Sequence, residues 1–92
     1  MNNYDATVAE RRAAFWAGIQ KYQPIADENF FGDEWRALIQ TRTMEAAKAA
    51  AFRVYLVRLS VTDDGSEEAC NLDQMQRQTR VVMHDLQRKV AA

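Results

Sequence analysis

At 92 residues, 48% hydrophobic and 27% charged, with a formal net charge of −1, the chain has the size and balance of one small globular domain, residues 1–92. Arg53 and Arg58 interrupt its longest apolar run, so nothing approaches the ~20 apolar residues that cross a bilayer. The single cysteine, Cys70, excludes an intrachain disulfide and fits a reducing, cytoplasmic setting.

One proline and three glycines leave few breaks, which favours long helices over many short strands. The start, Met1-Asn2-Asn3-Tyr4-Asp5, has no basic segment leading into an apolar core, so no signal peptide is expected. A first helix is predicted over residues 5–22. Asp5 suits its N-cap, and Glu10 lies toward the positive end of the helix dipole. Tyr4, Val8, Phe15, Ile19 and Tyr22 recur at helical spacing, and Trp16 widens that stripe. Pro24 should stop the helix, because proline disfavours helical geometry in the residue before it.

Residues 23–33 read as a linker, longer than the usual ~2–8 residues between helices. Asp33 then serves as a candidate N-cap, with Glu34 in the first turn of a second helix over 34–62. As one rod this helix would be ~43 Å long at 1.5 Å per residue. A break near Thr41-Arg42-Thr43, with Thr43 restarting the helix, is the alternative. Within it, Ala47, Ala50, Val54, Val57 and Val61 form one apolar stripe, and Phe52, Tyr55, Leu56 and Leu59 form another. A helix apolar on two faces must be covered on both, by neighbouring helices or by another chain. The β-branched and aromatic run from Phe52 to Val61 also has strand character, but no second strand of similar quality exists to pair with it.

Asp63-Asp64-Gly65-Ser66-Glu67-Glu68 is the strongest punctuation. Acids are unfavourable at a helix C-terminus, Gly65 suits a left-handed turn, and Ser66 with two glutamates reads as a helix start. A third helix over 67–90 follows. Leu72, Met75, Thr79, Val82 and Leu86 alternate steps of three and four, a bundle-like seam. The short connection places the second and third helices antiparallel. The expected fold is therefore all-α: a three-helix bundle with an antiparallel hairpin of its two long helices, forming a homodimer. Its expected core holds Val8, Phe15, Ile19, Leu38, Ala47, Ala50, Val54, Val57, Val61, Leu72, Met75, Val82 and Leu86.

Motifs for catalysis are lacking. His84 and Asp85 are adjacent, and adjacent helical residues do not face each other. Cys70 and His84 cannot complete a zinc ligand set, so neither a metal site nor a cofactor is expected. Cys70 reads as a small buried or half-buried residue, since Glu67 and Glu68 oppose formation of its thiolate. No glycine-rich phosphate loop is present, and no catalytic residues are assigned. A small helical metabolite enzyme would have to be built from Arg11, Arg12, Arg42, Arg53 and Arg58 lining an interhelical pocket.

Charge is unevenly placed. Residues 35–62 carry Arg36, Arg42, Lys48, Arg53 and Arg58 against Glu45, while both flanks are net acidic. A basic middle between acidic flanks suits a helix matched to its neighbours. The polar face of the third helix carries Arg77, Arg80, Arg88 and Lys89, a possible nucleic-acid surface. The acids from Asp63 to Glu68, with Asp73, would oppose phosphate.

Asn29 to Trp35 gathers Phe30, Phe31 and Trp35 among Asp27, Glu28, Asp33 and Glu34. Two roles fit: a plug over the end of the bundle, or aromatic anchors inside an acidic rim that docks on another protein with a basic surface. The function expected is a non-enzymatic protein–protein interaction module: an adaptor, inhibitor or regulatory subunit. A DNA-binding regulator is the alternative, and a small enzyme the third option.

Overall fold

The computed structural model describes the backbone of residues 3–91 and the side chains of residues 7–88. Every element among them is helical: α1 (Asn3–Gln20), α2 (Gln23–Glu28), α3 (Gly32–Thr41), α4 (Met44–Ser60) and α5 (Glu67–Ala91). The Phe52–Val61 stretch is accordingly helix to Ser60, not strand. No helix among the described residues is long and apolar enough to cross a membrane.

Asp5 lies inside α1, so it is not the N-cap, and its side chain falls outside the described residues. The helix ends at Gln20, where the backbone tightens. The Lys21 N–H donates to the Gly18 carbonyl at 3.3 Å and the Tyr22 N–H to the Ile19 carbonyl at 3.2 Å. The expected linker is a correction. Residues 23–28 form the short helix α2, started by Pro24 in its first turn, where a missing N–H costs nothing.

Helix α2 closes with a Schellman turn. The Phe31 N–H donates to the Ala26 carbonyl at 2.9 Å, and the Phe30 N–H to the Asp27 carbonyl at 3.3 Å. Phe30 occupies the left-handed position of that turn, at φ 64°, where glycine is usual. The glycine stands two residues later for a steric reason. A Cβ on Gly32 would collide with the Asp27 carboxylate and lie 3.2 Å from the Asp27 Cα. Gln23 Nε2 bridges the same corner, donating to Asp27 Oδ1 and to the Gly32 carbonyl, each at 2.9 Å. Helix α3 thus begins at Gly32 with Phe31 at the N-cap position, and Asp33 and Glu34 sit in its first turn instead of capping it.

The expected long helix over 34–62 is broken, a second correction. Arg42 is left-handed at φ 50° and ψ 44°, and Thr43 is extended. The Thr43 hydroxyl accepts the Ala46 N–H at 3.2 Å and restarts the chain as α4. A non-glycine residue in the left-handed region costs about 1–2 kcal/mol. Arg42 offsets part of this by laying its guanidinium 4.4 Å from the centre of the Trp16 ring.

Gly65 is not left-handed either; no glycine here has positive φ. The 61–66 turn is made instead by side chains. Asp63 Oδ1 accepts the Gly65 N–H at 3.0 Å, and the Ser66 hydroxyl donates to the Asp63 carbonyl at 2.8 Å. Ser66 Oγ also accepts the Ala69 N–H at 3.1 Å and so caps α5.

Ile19, Leu38, Ala47, Ala50, Val54, Leu72, Met75, Val82 and Leu86 are buried as expected, whereas Phe15, Val57 and Val61 are only partly buried against the core and Val8 is half-exposed. The bulk of one end comes from aromatics. Trp35 is edge-on to Tyr22 (6.2 Å between centroids) and to Phe31 (6.4 Å), and its Nε1 donates to the Ile19 carbonyl at 3.0 Å. Thr79 is buried in the α5 seam with its hydroxyl donating to the Gln76 carbonyl at 2.7 Å, so its polarity is satisfied.

Candidate interaction surface on helix α4

The two stripes of α4 have different fates. Ala47, Ala50 and Val54 are fully buried, and their small size lets α4 approach its neighbours closely. Phe52, Tyr55, Leu56 and Leu59 remain 60%, 50%, 40% and 64% exposed. Single exposed apolar residues are ordinary, whereas four on adjacent turns of one helix form a patch.

Phe30 extends it. Its side chain is 87% exposed, and its carbonyl accepts a hydrogen bond from Arg53 Nη2 at 3.1 Å, which ties the α2–α3 turn beside the middle of α4. At the other end of the patch Arg58 forms a clasp. Its Nε donates to Asp73 Oδ1 at 2.8 Å, its Nη2 to Asp64 Oδ1 at 2.9 Å, and its Nη1 to the Val61 carbonyl at 3.3 Å. The hydrogen bonds that Arg58 donates to Asp64 and Asp73 raise its pKa against the opposing effect of desolvation. Arg58 is thus a fixed cation that holds the 61–66 turn to both helices. Tyr55, Leu59, Val61 and Gln76 line an open groove of about 360 Å³ beside the clasp.

The aromatic segment divides. Phe31 and Trp35 are fully buried, so they form the plug and cannot anchor a partner in this conformation. The reason is the Schellman turn, which sends Phe30 outward and turns Phe31 into the core. The acidic rim is reorganised as well. Asp27 and Asp33 both face Arg36, at 3.6 and 3.2 Å. Glu34 is half-buried, and Glu28 lines a groove together with Glu67 and Glu68.

On α5, Arg77, Arg80 and Arg88 are exposed without an acidic partner among the described residues, and the Lys89 side chain lies outside those residues. The five arginines of the enzyme option are dispersed. Arg12 pairs with Asp85 at 3.3 Å, Arg42 packs on Trp16, Arg53 holds the Phe30 carbonyl, Arg58 holds two aspartates, and Arg11 is exposed. Arg12 and Arg42 alone share a cleft, with Trp16 and Asp85. Cys70 is exposed, a correction to its expected burial: it follows Ala69, which takes the inward position. No group of three or more His, Cys, Asp or Glu among the described residues is placed to hold a metal ion. Comparison with protein-family models, curated proteins and solved structures gives no match to this chain.

Proposed function

We propose that this chain is a non-enzymatic protein–protein interaction module, a small adaptor, inhibitor or regulatory subunit, whose working surface is the outward face of α4. The observation that carries the reading is the exposure of Phe52, Tyr55, Leu56 and Leu59 on consecutive turns, with Phe30 beside them. In this reading α4 and α5 run antiparallel, as Arg58 reaching Asp73 across the pair supports. α5 then covers the inner stripe and leaves the outer one for a partner. Contact shifts from the 27–36 segment to α4, with Phe30 as the one aromatic of that segment that can take part. The self-association expected from the sequence is one form of the same reading.

The test uses tagged chain as bait in extract of the source cell, beside a Phe52→Ser/Leu59→Ser variant and an Arg77→Ala/Arg80→Ala variant. A protein held by the wild type and the arginine variant, and lost by the stripe variant, is the expected result. Equal capture by all three overturns it. The second reading, a DNA-binding regulator, draws on the free guanidinium groups of Arg77, Arg80 and Arg88. It requires duplex binding that falls by ~0.9 log unit per log unit of salt for each phosphate neutralised, and that disappears in the arginine variant.

A further inference from the structure

Ala49, Phe52, Leu56 and Leu59 alternate steps of three and four residues, which aligns them along the outside of α4 as a coiled-coil seam does. All four are exposed. From this face, and resting on the interaction reading above, we propose that its occupant is a second copy of this chain, packed antiparallel along α4 about a two-fold axis near the level of Val54.

Two observations select this partner. The first is area. With ~150–250 Å² for a whole aromatic side chain, the exposed fractions of Phe30, Phe52, Tyr55, Leu56 and Leu59 leave on the order of 500 Å² of apolar side chain open. A standard interface takes ~800 Å² from each partner, and homodimer interfaces are ~65% apolar, which again asks for on the order of 500 Å². The patch therefore has the area that a two-fold dimer of ordinary size requires.

The second is shape. A two-fold axis makes each contact occur twice. Centred near Val54 and run antiparallel, the seam sets the large Phe52 and Leu56 against each other on either side of the axis. The small Ala49 then meets the partner's Leu59, the most exposed leucine of the stripe. Large residues thus face small ones at the ends and pack together in the middle. A parallel pairing would set Leu59 against Leu59 and Ala49 against Ala49, overfilling one end and leaving a gap at the other.

The experiment has two arms. Light scattering at micromolar concentration should give twice the chain mass for the wild type, and Leu56→Glu should halve it with helicity by circular dichroism retained. Should Leu56→Glu lose helicity, Leu59→Glu replaces it. The second arm places single cysteines in a Cys70→Ser background. Ala49→Cys and Leu59→Cys mixed together should form a disulfide-linked pair under mild oxidation, and neither should link to itself. A wild-type monomer overturns the proposal. Self-linking of each variant alone overturns the antiparallel arrangement. The interaction reading fails separately, when the Phe52→Ser/Leu59→Ser variant captures the same proteins as the wild type.

Discussion

Trp35 distinguishes a plug from an anchor, because its burial predicts a specific ranking of variants. Trp35→Ala removes a fully buried indole, two edge-on aromatic contacts and the hydrogen bond to the Ile19 carbonyl. Large-to-small changes of this kind cost about 3–5 kcal/mol. A domain of this size has roughly 5–15 kcal/mol of stability in total, so the alanine variant should melt far lower or not fold. Trp35→Phe keeps most of the packing and loses the indole N–H. The Ile19 carbonyl is not orphaned by that loss, since it also accepts the Tyr22 N–H at 3.2 Å. The cost should therefore be that of one ordinary hydrogen bond plus a small cavity, about 1–2 kcal/mol. At ~4–8 °C per kcal/mol, the phenylalanine variant should lose on the order of 5–15 °C in Tm. Thermal melts by circular dichroism at one fixed protein concentration measure both, because association makes Tm depend on concentration. An alanine variant that melts with the wild type would refute the buried position of Trp35 and restore it as a contact residue.

Phe30→Gly should raise stability by about 0.5–1 kcal/mol, because glycine relieves a left-handed residue whose side chain packs on little; a lower urea midpoint would contradict the Schellman geometry. Gly32→Ala should cost about 1–3 kcal/mol, since the new methyl displaces the Asp27 carboxylate and crowds the Asp27 backbone; an unchanged urea midpoint would show that the α2–α3 corner opens freely.

The helical class was legible in the sequence, and so was most of the buried face. The seam of α5 and the Ala47–Ala50–Val54 stripe follow from periodicity, because residues a turn apart share a face in any helix. The caps at Thr43 and Ser66 were also readable, since a hydroxyl one residue before a helix bonds a backbone N–H two or three positions on, within a local segment. The outer stripe of Phe52, Tyr55, Leu56 and Leu59 stood out by the same rule.

What periodicity could not supply was the placement of residues whose conformation is decided by distant contacts. Arg42 breaks the central helix without glycine or proline, and its guanidinium is held by Trp16, 26 positions earlier in the chain. Phe30 takes the left-handed place that Gly32 would fill by rule, because Gly32 is needed where the Asp27 backbone comes close. That exchange turns Phe30 outward and Phe31 inward, and so decides which aromatic closes the core and which stays exposed. The two stripes of α4 were equal candidates for burial by their composition. Only the tertiary packing buried Ala47, Ala50 and Val54 and left the aromatic and leucine side open. Periodicity assigns residues to a face, but a face is buried only where another element packs against it, and that depends on contacts between segments far apart in the chain.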